Sequence, residues 1–147
     1  MLTCTFFGHR NTPAEIEPLL QATLIDLIEN HRVDFFYVGK EGNFDSLVRK
    51  NLRLLKLDYP HINYYVVLAY MPREKGEYYC KEDFEETICP YIFDKTPPKY
   101  AIPKRNRWLI KESDYVITYV KHTLGGAAQF KELAEKKGKK VINLADL

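Results

Sequence analysis

The sequence predicts one α/β domain in three α/β/α layers, built on a doubly wound, mostly parallel sheet. Three observations predict it. The runs Leu2–Phe7, Val33–Val38 and Ile62–Ala69 are almost continuously apolar, the pattern of strands covered on both faces. The first two runs each lead into a glycine and then into a stretch with apolar residues at helical spacing. Past Asp114 the order strand, helix, strand resumes, so helices and strands alternate along the chain. A length of 147 residues suits a single domain with a real core.

Each element has its own signals. Strand one, Leu2–Phe7, meets Gly8-His9-Arg10 at once. Thr12-Pro13-Ala14-Glu15 has the form of a capping box with proline at the first helical position. Ile16, Leu20, Leu24 and Leu27, with Leu19 and Ile28 beside them, make an apolar stripe ending near Asn30. Pro18 either kinks this helix or marks its proper start. Val33–Val38 is the second strand, and Gly39-Lys40-Glu41-Gly42-Asn43 the turn after it. A second helix is expected from about Phe44 to Leu57, with Leu47, Val48, Leu52 and Leu55 toward the core and Asp58-Tyr59-Pro60 as its stop. Ile62–Ala69 is the third strand.

Residues 71–100 carry Pro72, Gly76, Pro90, Pro97 and Pro98 among many charges. They predict a long irregular insertion, with a short helical piece at Glu82–Thr87 and a short strand at Tyr91–Phe93. Regularity returns at Pro103. A short helix over Asn106–Lys111, a strand at Tyr115–Val120, a helix over Gly125–Lys137 closed by Gly138, and a last strand over Lys140–Leu144 follow.

Composition narrows the function classes. Hydrophobic residues make up 46% and charged residues 29%, the profile of a soluble globular protein. The net charge of only +2 argues against a dedicated nucleic-acid binder. Three cysteines, Cys4, Cys80 and Cys89, form neither an even disulfide set nor a zinc-type pair, and Cys4 lies in an apolar run as a core thiol. The opening MLTCTFFGHR is too short an apolar run for a secretory signal, and no stretch approaches a membrane span. The expected location is the cytoplasm.

In an open parallel sheet, ligands sit beyond the carboxyl ends of the strands. Three loops fall there: Gly8-His9-Arg10, Gly39–Asp45 and Thr123–Gly126. Glycines permit close approach of the backbone, and the helix starts that follow offer free N–H groups to an anion. Each signal has a plain structural reading as well. Gly8 and Gly39 end strands, and Gly125-Gly126 allows helix and sheet to pack closely. His9 is placed either to touch a ligand or to hydrogen-bond within its loop. Asp45 suits a ribose hydroxyl or a helix first turn equally well. Arg105-Asn106-Arg107 has the composition of a bidentate phosphate or carboxylate clamp, the alternative being a surface salt bridge. Glu132 faces either a ligand or Lys136 at i+4. Lys136, Lys137, Lys139 and Lys140 form a solvated helix end.

At these residues the chain resembles the SLOG superfamily, the Rossmann-like group that joins DNA-processing protein A to the Lonely Guy phosphoribohydrolases. Within it, the chain is most similar to the YpsA-like branch of bacteria and their phages. The carriers are FFGHR at Phe6–Arg10, VGKEGNFD at Val38–Asp45, KRNRWLIKESDYVITYV at Lys104–Val120 and GGAAQFKE at Gly125–Glu132. Arg105-Asn106-Arg107 is similar to a motif of the DNA-processing branch. Arg105 also stands where the Lonely Guy branch has a catalytic arginine before Ser113-Asp114, and Glu132 falls on that branch's catalytic acid. Leu124, Ala128 and Gln129 depart from its Pro-Gly-Gly-x-Gly-Thr-x-x-Glu pattern.

The resemblance implies a ligand-binding module, a sensor or accessory protein for a nucleotide or nucleotide derivative; no further cofactor is expected, and the cysteine and histidine spacing predicts no metal site. Gly8, His9, Arg10, Gly39, Asn43, Asp45, Arg105, Asn106, Arg107, Gly125, Gly126 and Glu132 would line its site. An alternative is N-glycosidic hydrolysis of a nucleoside 5′-monophosphate, with Arg105 orienting phosphate and Glu132 as acid–base. A second alternative is a single-stranded DNA accessory protein. Family members often pair, which implies a homodimer.

Overall fold

The structure, a computed structural model, describes residues 1–69, 87–88 and 97–147. Its strands are β1 (Leu2–Gly8), β2 (Val33–Val38), β3 (Asn63–Val67), β4 (Thr87–Ile88), β5 (Tyr115–Tyr119) and β6 (Lys140–Asn143). They form one sheet in the order β4-β3-β2-β1-β5-β6, and every neighbouring pair is parallel. The α-helices among the described residues are α1 (Glu17–Asn30), α2 (Gly42–Asp58), α3 (Pro98–Lys111) and α4 (Gly126–Lys136). None of them is long and apolar enough to cross a membrane.

Successive residues of β1 serve opposite faces of the sheet, as strand geometry requires. Cys4 and Phe6 join the core beneath α1 and α2, with Leu20, Leu24, Leu27, Val48, Leu52 and Leu55. Phe7 joins the second core beneath α3 and α4, with Leu109, Ile110, Phe130 and Ala134. Two cores on two faces make the doubly wound, Rossmann-like α/β fold. Phe6, Phe36 and Phe44 are wholly or almost wholly buried, each stabilising the fold by about 1.5–3 kcal/mol relative to exposure. Burial pushes the Cys4 thiol pKa up, so it stays protonated as a core residue.

Strand order reverses beside β1. The chain runs outward through β2, β3 and β4, then returns to place β5 on the other side of β1. The crevice at the carboxyl ends of β1 and β5 is therefore the topological switch point. Side chains fasten β5 to its two neighbours, to β1 at its amino end and to β6 at its carboxyl end. At the amino end, Asp114 accepts from the Thr3 N–H through Oδ2 at 3.0 Å and donates its own N–H to the Thr3 carbonyl at 2.8 Å. At the carboxyl end, Asn143 brackets Val120, accepting from its N–H at 2.9 Å and donating to its carbonyl at 3.0 Å.

Three local expectations change. The Thr12 capping box does not form: Thr12 Oγ1 donates to the His9 carbonyl at 2.5 Å, and a 3₁₀ turn at Ala14–Ile16 precedes α1 without a side-chain cap. Pro18 lies in the first turn of α1, where its missing N–H has no partner to lose. The helix expected at Asn106 begins instead at Pro98 and runs through Pro103, which costs one backbone hydrogen bond rather than a whole helix. The irregular insertion falls mostly outside the described residues, as do Cys80, Cys89, the strand expected at Tyr91–Phe93 and most of the helical piece expected at Glu82–Thr87. Thr87, where that piece was expected to end, lies in β4. Gly138 closes α4 as expected, with φ +76° and its N–H on the Glu135 carbonyl at 3.1 Å, while Lys139 N–H reaches the Ala134 carbonyl at 3.1 Å.

Candidate ligand-binding site

Glycines set the close approach of the loops at the strand ends. A Cβ at Gly8 would collide with the fully buried Phe44 ring, so glycine there lets α2 start against the end of β1. Gly42 has φ +83°, and a Cβ on it would stand 2.7 Å from Arg10 Cα. The Asn43 N–H then reaches the Arg10 carbonyl at 2.8 Å. A Cβ on Gly39 would stand 2.6 Å from Asp45 Oδ2 and 3.0 Å from Arg105 Nη1. Gly39 is therefore the space in which a carboxylate and a guanidinium meet.

Around this junction lies a cavity of about 340 Å³. Gly8, His9 and Arg10 border it after β1, and Gly39, Glu41 and Asp45 after β2. Gly126, Ala127, Gln129 and Phe130 of α4 close one side, and Ile102, Pro103, Arg105, Asn106 and Leu109 of α3 another. Phe6 and Phe7 add apolar surface. Apolar walls with a few convergent polar groups are the usual make-up of a small-ligand site.

The polar cluster on the β2 side is interlocked. Arg105 is 4% exposed. Its Nη1 donates to Glu41 Oε2 at 2.5 Å and to the Val67 carbonyl at 3.4 Å. Its Nε and Nη2 both donate to Asn106 Oδ1, at 3.1 and 2.9 Å. Asp45 Oδ2 accepts from the Glu41 N–H at 3.1 Å. Burial pushes the Asp45 carboxyl up to about 6, against the opposing pull of Arg105 and of the Glu41 N–H.

His9 ties β1 to β5. Its N–H donates to the Tyr119 carbonyl at 3.3 Å, and its Nε2 accepts from the Lys121 N–H at 3.0 Å. An accepting Nε2 requires the neutral ring. Burial first, and the neighbouring His122 second, shift the His9 pKa down in the same sense.

On the β5 side, Gly125 begins α4 with φ +104° and no side-chain cap. The first N–H groups of a helix have no intrahelical partner and carry its positive dipole end. Gly126 and Ala127, which supply two of them, line the cavity. Among the described residues, no group of three or more His, Cys, Asp or Glu side chains is placed to hold a metal ion.

Of the residues singled out in sequence, Gly8, His9, Arg10, Gly39, Asp45, Arg105, Asn106 and Gly126 come together on this cavity. Asn43, Arg107, Gly125 and Glu132 are not among its lining residues. Arg105 and Arg107 do not act as a pair, because positions i and i+2 of a helix point to different sides. Arg107 is exposed, and Asn106 is a partner of Arg105. Glu132 is exposed on α4 and pairs with Lys136 at 3.2 Å. Sequence reasoning passed over Glu41, whose signal was an acid between two glycines just after a strand. It also passed over Ile102, because α3 starts earlier than expected.

No protein-family model and no curated protein matches this sequence. Among solved structures there is a match. The fold is similar to that of DNA processing protein A (DprA) from Streptococcus pneumoniae. The TM-score is 0.69 at 15% sequence identity, over 96% of this chain. The chain spans about half, 49%, of that protein's length. The likeness to DprA is one of fold, and it covers nearly all of the chain.

Proposed function

We propose that this protein binds a nucleotide or nucleotide-derived ligand at the carboxyl ends of its strands and acts as a sensor or accessory protein, as the motifs of the YpsA-like branch imply. One observation carries the reading: the switch-point cavity joins an uncapped helix N-terminus to a carboxylate–arginine cluster across β1. The amides of Gly126 and Ala127 suit a phosphate, and Arg10 adds a cation on the same cavity. Glu41 and Asp45 suit hydroxyls. The apolar wall at Ile102, Pro103 and Phe130 suits a base. β2 and β5 flank β1, so the two polar regions stand roughly 10 Å apart at the sheet.

Hydrolysis through Glu132 has less support, since that side chain is exposed and engaged with Lys136. The DNA-processing role in the name of DprA brings a single-stranded DNA reading with it. Two carboxylates on the cavity and a net charge of only +2 weigh against that reading. A thermal-shift screen against nucleotides, nucleoside monophosphates and ADP-ribose compounds tests the proposal, with mass spectrometry of each mixture afterwards. The expected result is a rise in unfolding temperature with the ligand recovered intact. Release of free base would make the protein a hydrolase, and no shift with any compound would sink the small-ligand reading.

A further inference from the structure

We propose that Glu41, held in place by Arg105, is the hydroxyl acceptor of the cavity and restricts the ligand to one whose ribose carries no phosphate on the β2 side. This deepens the nucleotide reading above and rests on it.

The argument starts from the state of Arg105. A guanidinium has five N–H donors, and here four of them are committed: both of Nη1 to Glu41 and the Val67 carbonyl, and one each of Nε and Nη2 to Asn106. A phosphate could take the bidentate grip of this arginine only by displacing Glu41 or Asn106, and the arginine side chain is just 5% exposed. Arg105 is therefore a scaffold for Glu41. The Glu41 side chain is 26% exposed and lines the cavity. Among the described residues, the hydrogen bonds it receives, from Arg105 Nη1 and the Lys40 N–H, both fall on Oε2. Oε1 is left for the ligand. An ionised carboxylate only accepts hydrogen bonds, so it favours a hydroxyl and repels a phosphate. Asp45, linked through the Glu41 N–H, adds a second carboxyl to the same wall.

The placement has a physical parallel in dinucleotide-binding sheets. There an acid after the second strand takes the ribose hydroxyls, and a nearby arginine admits a ribose phosphate instead. Here the acid and the arginine are bound to each other. Removing the charge of Glu41 would release Arg105 and turn the pocket toward a phosphorylated ribose.

The test is calorimetric titration of the full chain with the four ribonucleoside 5′-monophosphates and their 2′-deoxy and 3′,5′-bisphosphate counterparts. The wild-type protein is expected to bind the best ribonucleotide about tenfold tighter than either counterpart. Glu41→Gln should lose that preference and bind the bisphosphate at least as well as the monophosphate. Glu41→Asp, which keeps the charge on a shorter stem, should still reject the bisphosphate and provides the comparison should Glu41→Gln fold poorly. Unchanged preferences in Glu41→Gln, or a bisphosphate accepted by Glu41→Asp, would overturn the role of Glu41 and leave the nucleotide reading standing. No binding of any of these compounds to the wild-type protein would overturn the role of Glu41, and together with no shift in the wider thermal screen it would overturn the nucleotide reading as well.

Discussion

Asp45 shows how one residue carries the tension of the site. Its carboxyl is pushed from an ordinary 3.8 up to about 6, chiefly by burial. Between those values the folded protein holds a proton that the unfolded chain releases. The contribution of Asp45 to stability is therefore full at low pH and declines as pH rises through about 6. Above that pH the carboxyl is ionised in both states, at a cost on the order of 3 kcal/mol for a two-unit shift. Asp45→Asn should accordingly be more stable than wild type at pH 7.5, with the gap closing toward pH 3.5. Urea unfolding of both proteins across that range checks it, and a gap independent of pH would show that Asp45 titrates normally.

At the scale of elements, the two glycines that open α4 make different demands. Gly125 has φ +104° and ψ 172°, a region that only glycine visits readily. Gly126 has no such constraint, and a Cβ on it would meet nothing within 4 Å. Gly125→Ala should therefore destabilise the fold by about 1–3 kcal/mol. Gly126→Ala should leave the unfolding temperature unchanged or slightly raised, since alanine is the better helix former. The same methyl would stand on the cavity wall and should weaken binding of any nucleotide found to stabilise the wild-type protein. Thermal unfolding of the two variants, with and without that nucleotide, separates the backbone role from the site role. An equal loss of stability in both would refute the distinction.

Over the whole molecule, Arg105 links three parts of the fold: the loop after β2 through Glu41, the end of β3 through Val67, and α3 through Asn106. Removing one member of such a pair leaves its partner's charge uncompensated. Arg105→Ala should lower stability by a few kcal/mol, on the order of 3 kcal/mol. The loss should be smaller in a Glu41→Gln background, where less charge is left behind. A double-mutant cycle by urea unfolding measures this coupling, and strictly additive losses would show that the pair stabilises nothing.

The sequence by itself determined the layered architecture. Continuous apolar runs could be satisfied only by strands covered on both faces, and Gly8 and Gly39 stood where the loops had to crowd together. It also marked most of the cavity, because residues that follow parallel strands share one edge of the sheet. Only the tertiary structure decided how those residues are used. Glu41 and Arg105 are 64 positions apart, and His9 and Lys121 are 112 apart. No local pattern encodes such contacts, because they depend on strand order. Arg107 and Glu132 differ in kind: their directions follow from helix phase, a local property, once the bounds of α3 and α4 are fixed. Proline signals placed the start of α3 too late, and with it the pairing of the two arginines. Packing of α3 against the sheet overrode the local penalty at Pro103, carried the helix back to Pro98, and made Arg105 a buried support for Glu41.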